Sequence, residues 1–191
     1  EWRPSMSMFL GKWIDSNKHP LKVGVQLPDL QLLIIKPPCR VIEALEIHGC
    51  STITIYEWLR QKLSLFGADT RRMSMEMPYD MPSHAMDHGI PIEITSYREF
   101  WELSLLRSNT HLILKYFALY YQNLQFRPQI SISPENFNSE LYIPVLRDYQ
   151  YTQVKPYIKI GLSVPDSYID HYYFYLKLWP TKNSYDFYTK L

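Results

Sequence analysis

Ile53 to Pro82 reads ITIYEWLRQKLSLFGADTRRMSMEMPYDMP, and the order of elements within it decides the fold class. Thr54 followed by Glu57 has the form of a capping box, in which the Thr hydroxyl accepts from a first-turn N–H and the Glu reaches back to the cap. Ile53 and Trp58 stand where a hydrophobic staple would close. Ile55, Leu59, Leu63 and Phe66 recur at helical spacing, while Arg60, Gln61 and Lys62 face away. Gly67 supplies the left-handed position that ends a helix. Arg72 to Met77 then alternates polar and apolar, the period of a strand with one buried face. Pro78 and Pro82 bound a polar loop. This stretch mixes helix with strand. With strands that follow one another through short turns elsewhere and no regular βαβ alternation, the expectation is an α+β domain.

Working outward, strands dominate both flanks. Lys22 to Gln26 alternates, with Val23 and Val25 on one face. Leu30 to Ile35 is a continuous apolar run, which fits a strand covered on both sides. Val41 to Ile47 reads as a third strand, although Glu43 to Glu46 is locally helix-friendly. Met6 to Ile14 reads as either a short helix or an edge segment. Beyond the loop, Ser96 and Glu99 form a second capping box. A long helix follows, with Tyr97, Phe100, Trp101, Leu105, Leu112, Tyr116, Phe117 and Tyr120 toward one side and its far end apolar nearly all round. Such a helix is expected to lie buried against a sheet. Gln129 to Ser133 is a strand, and Leu141 to Val145 another, with Pro144 marking an edge. Tyr157 to Val164 and Tyr172 to Trp179 make a hairpin. The expected architecture is a mainly antiparallel sheet with two principal helices packed on it, in a single domain over residues 1–191, with 1–20 as a looser segment.

Composition narrows the classes. A chain of 191 residues is long enough to bury a core without staples, and 46% hydrophobic with 20% charged residues is a globular composition. A formal net charge of +1 and the lack of any basic run argue against nucleic acid. No apolar run approaches the ~20 residues a membrane span requires. Two cysteines, Cys39 and Cys50, do not make a disulfide framework, and reduced, core-filling thiols in a cytoplasmic setting are the expectation. The chain begins at Glu1 rather than Met, consistent with a processed start.

The organising stretch, taken with SYREFWELSLLRSNTHLILKYFALYY at 96–121, resembles a family of uncharacterised bacterial proteins classed as a domain of unknown function. The resemblance rests on Ile55 and Tyr56 near the helix start, Phe66 and Gly67 at its end, Ser74 to Pro78 leading out of the strand, and Glu99, Phe100 and Trp101 opening the second helix. It covers about Leu27 to Tyr121. The family's G-K-x-S-P and F-F-W-G elements have no counterpart; Arg127 to Ser131 stands there instead. The resemblance implies the α+β layout and carries no activity.

Two constellations are candidates for function. Sixteen Tyr and 5 Trp against 6 Gly make the chain rich in side chains with an apolar body and a polar tip. On the last strand Tyr173, Tyr175 and Trp179 share a face opposite Phe174, Leu176 and Leu178, with Tyr149, Tyr151 and Tyr157 as neighbours. Such a face suits a small molecule or a protein partner, and this is the leading functional expectation. The alternative is a metal-dependent, hydrolase-like enzyme centred on residues 76–88. On a helical turn capped by Ser83, His84 and His88 stand at i and i+4, with Asp80 or Glu76 to complete a divalent-metal site. Ala85 follows His84, so the helix-borne base of H-E-x-x-H is missing. No P-loop, G-x-G-x-x-G or G-x-S-x-G occurs, and no cofactor is predicted beyond that metal.

Overall fold

A computed structural model describes residues 1–76, 83–121, 128–144 and 157–179. The protein is α+β, with two antiparallel sheets among the described residues. The chain falls into two compact units, Trp2–Leu106 and Arg107–Leu191, Glu1 grouping with the latter.

The first unit holds β1 (Trp2–Arg3), β2 (Met8–Leu10), β3 (Lys22–Gln26), β4 (Gln31–Lys36) and β5 (Arg40–Glu46), paired in that order. Within Met6 to Ile14 the strand is Met8–Leu10, placed between β1 and β3 rather than at an edge, while Met6 ends a 3-10 turn. β4 is buried on both faces, as its unbroken apolar run requires. Leu33 and Ile35 pack with Met8 and Leu10 on one side, and Ile34 packs with Leu21 and Leu63 on the other. β5 takes the extended form despite its helix-friendly centre, because Leu45 and Ala44 pair with Leu32 and Leu33 of β4. Tertiary pairing overrides a weak local preference.

Helix α1 (Thr52–Leu65) lies on this sheet through Trp58, Leu59, Leu63 and Phe66. Its start differs from the sequence expectation. The cap is Ser51, whose side chain accepts from Thr54 N at 3.3 Å, and Thr54 is the third helical residue. Both residues are competent caps. The choice falls on Ser51 because Cys50 is pinned: its N–H donates to Ile47 O and its carbonyl accepts from Ile92 N. Ile53 is then exposed and forms no staple. The helix end is as expected. Gly67 has φ +84, its N–H donates to Ser64 O, and Ala68 N–H donates to Leu63 O. These bonds form a Schellman motif, with Leu63 and Ala68 in one apolar cluster.

The strand expected at Arg72 to Met77 is absent over its described part, 72–76. Instead Ser74 Oγ accepts from Glu76 N, Tyr56 donates to Met73 O, and Met73 joins the α1 cluster. With no neighbouring strand, alternation gains no ladder, and a serine turn curls the chain.

α2 (Arg98–Tyr120) is one uninterrupted helix through Asn109 and Thr110. Ser96 Oγ accepts from Arg98 N, one residue short of the expected box. The second unit's sheet has the order β6 (Gln129–Ile132), β7 (Ser139–Pro144), β8 (Tyr157–Ser163), β9 (Tyr173–Trp179). The β8–β9 hairpin is as expected. β7 is interior, not an edge: Pro144 is its last residue and costs at most one ladder bond. Leu114 and Ala118 of α2 pack on Leu141, Ile143, Ile130, Ile158 and Ile160. The strands thus divide between two sheets, each with a helix of its own. Among the described residues no helix is long and apolar enough to cross a membrane. Both cysteines are free thiols; Cys50 is buried, whereas Cys39 is exposed in the β4–β5 turn and fills no core.

Candidate functional site

The register of the second sheet brings together residues far apart in sequence. Glu140 on β7 stands opposite Gly161 on β8, which stands opposite Tyr175 on β9. Residues directly opposite share a face, and the pleat repeats every second residue. Tyr142, Lys159 and Tyr173 therefore lie on the same side as this row, while Leu141, Ile160 and Leu176 lie on the other.

Gly161 makes the row possible. A Cβ at this position would meet Tyr175 ring carbons at 2.9 Å and Ser139 O at 2.5 Å. With no side chain there, the Tyr175 ring lies across β8 and its hydroxyl reaches β7, donating to Glu140 Oε1 at 2.6 Å. Tyr142 donates to Glu140 Oε2 at 2.6 Å, and Lys159 Nζ donates to Oε1 at 3.0 Å. Glu140 is only 3% exposed, so these donors replace its water. Burial is the largest influence on both phenols and pushes them up, and the bonds to Glu140 push the same way. Lys159 is pulled down by burial, but the ion pair with Glu140 and the Tyr142 hydroxyl outweigh that and hold its proton. Lys159 Nζ also stands 5.1 Å from the centre of the Tyr142 ring, which leans on Tyr157 at 5.4 Å between centroids.

The aromatic face anticipated on β9 is therefore partly a hydrogen-bonded polar row. Tyr173 donates to Asp166 Oδ2 at 2.5 Å, within the β8–β9 connection. Trp179 is paired with Tyr157 in the backbone register. Tyr149 and Tyr151 lie outside the described residues. The residues that pattern reading missed are Glu140, Tyr142, Lys159 and Gly161. The signal was present as two alternations, Glu140 with Tyr142 and Lys159 with Gly161. It becomes legible only once the register puts a glycine between a glutamate and a tyrosine.

The loop constellation is arranged differently from its sequence reading. Residues Ala85–His88 form a 3-10 turn preceded by His84 in extended conformation. At three residues per turn, i and i+4 no longer stack. Asp87 holds the loop to α1: Oδ2 accepts from His84 N and Oδ1 from Thr52 Oγ1, each at 3.0 Å. The backbone N–H of His84 and then the Thr52 hydroxyl keep the Asp87 carboxyl below its ordinary range. His88 Nε2 is 3.0 Å from Ser83 Oγ. Glu76 is at the exposed end of the Ser74 turn, and Asp80 lies outside the described residues. Among the described residues no three His, Cys, Asp or Glu side chains are grouped to hold a metal ion.

No family model matches the chain, and neither a curated protein nor a solved structure matches it.

Proposed function

We propose that the tyrosine-bearing face of the four-stranded sheet binds a neutral, ring-bearing small molecule. The observation that supports this most directly is the Tyr175 ring, laid across Gly161 with its hydroxyl held by buried Glu140. A ring fixed in this way loses little freedom on binding. An ionised carboxylate only accepts hydrogen bonds, so both phenols direct their protons at Glu140. What each phenol keeps for a ligand is an acceptor oxygen and the face of its ring. Lys159 contributes N–H donors, and its charge is balanced by Glu140 at 3.0 Å. A flat ring carrying hydroxyl or amide donors fits this chemistry better than an ion does.

Protein-observed NMR with a library of neutral ring-bearing fragments tests the reading. Hits should shift resonances of Tyr157, Lys159 and Tyr173, and Tyr157→Ala should weaken them about tenfold. A library without hits, or hits that leave these residues unmoved, would overturn it.

A further inference from the structure

We infer that the exposed apolar side of α2 within the second unit is where two copies of this chain meet, antiparallel, about Tyr116. From Arg107 onward the helix buries Arg107, Thr110 and Leu114. It leaves Leu112, Ile113, Tyr116, Phe117, Leu119 and Tyr120 exposed, with Tyr116 at 71% and Tyr120 at 73%. At ~100° per residue, Leu112, Tyr116, Leu119 and Tyr120 occupy about 100° of arc. This is the width of a stripe that normally faces a core.

Three features select a second copy as the occupant. The stripe carries no charge of its own; Lys115 stands on its flank. A partner surface must therefore be equally apolar. The stripe is also symmetric in sequence. Leu112 lies four residues before Tyr116 and Tyr120 four after, and Ile113 lies three before and Leu119 three after. Ile113 and Tyr120 stand to one side of Tyr116 and Leu112 and Leu119 to the other. An antiparallel copy centred on Tyr116 therefore sets Ile113 beside Tyr120 and Leu112 beside Leu119, and each of these exposed apolar side chains meets another. That is the self-complementarity a two-fold interface demands. Finally, the area is of the right order. A tyrosine side chain buries 150–250 Å², so Tyr116 and Tyr120 alone leave about 300 Å² in water. With four further apolar side chains the patch reaches the upper range seen on monomers and approaches the ~800 Å² per partner of a standard interface.

Sedimentation velocity over a hundredfold range of concentration tests the inference. The wild-type chain should dimerise. Tyr116→Glu and Tyr116→Lys each place like charges at the two-fold axis, and each should weaken the dimer at least about a hundredfold. Neither should harm the fold, since the site is exposed and both residues are good helix formers. An equimolar mixture of the two variants should dimerise again, because Glu then faces Lys. Only a Tyr116-to-Tyr116 contact produces that rescue. A wild-type chain that stays monomeric overturns the proposal; if that monomer cosediments with phosphatidylglycerol vesicles, the face belongs to a lipid surface. A dimer indifferent to Tyr116→Glu, or a mixture that stays monomeric, overturns it equally.

Discussion

α1 and the second unit's part of α2 meet their sheets in opposite ways. α1 turns Trp58, Leu59, Leu63 and Phe66 inward, and they join an apolar cluster with Leu21 and Ile34. α2 buries Arg107 beside Leu114 while Leu112, Tyr116 and Tyr120 remain in water. Arg107 tolerates burial because Nη1 donates to Phe137 O at 2.6 Å and to Ser139 Oγ at 3.1 Å. Burial still pulls its pKa below the usual arginine range, with the nearby Tyr172 opposing. The sheets differ in the same sense: a buried carboxylate with three donors sits on β7, whereas Ile34 of β4 is enclosed by apolar side chains. Apolar periodicity locates a buried face when the neighbours are apolar. Where specific acceptors wait for a buried cation, hydrogen-bond geometry decides the face and periodicity misleads.

The sharpest way to break this contrast is Glu140→Ala. Removing the shared acceptor leaves a half-buried ammonium and two phenols without their partner, and should cost ~3–5 kcal/mol in urea denaturation. A loss below about 1 kcal/mol would mean that the row is incidental. Leu63→Ala tests the apolar unit. It should cost ~2–5 kcal/mol through lost burial and a cavity, with little dependence on pH. Gly161→Ala should cost ~1–3 kcal/mol, because the added methyl must push the Tyr175 ring or the strand aside. It should also let one more tyrosine titrate in its ordinary range by phenolate absorbance.

A smaller effect separates the two candidate caps of α1. Ser51→Ala should cost ~1 kcal/mol and Thr54→Ala distinctly less, since Ser51 is the residue that accepts from the helix backbone. Reversal of that order in thermal melts would return the helix start to Thr54. The weakest expected signal is alkaline. Tyr175, Tyr142 and Lys159 all hold their protons more tightly folded than unfolded. The stability they add is complete below the ordinary range near pH ~10 and falls as pH rises above it. Denaturation midpoints taken upward from pH ~9 should decline beyond ~10, and Tyr175→Phe should flatten the decline.

Local signals in the sequence were enough for the α+β class, the strands around Leu32 and Ile160, the β8–β9 hairpin and the glycine stop of α1. Each depends on residues close in the chain: a period of two or 3.6, or one residue able to take positive φ. Tertiary structure decided the rest. It chose Ser51 over Thr54, because Ile92 bonds to Cys50 across some forty residues. It dissolved the strand expected at Arg72 to Met77 over its described part, since alternation is only a preference until a neighbour supplies the ladder. It turned the richest side of α2 outward, because Arg107 found its acceptors on the connection before β7 and at its first residue. It also built the row of Tyr175, Gly161 and Glu140, whose members lie 14 and 21 residues apart. Register sets that row, and register is a long-range choice that no local window contains.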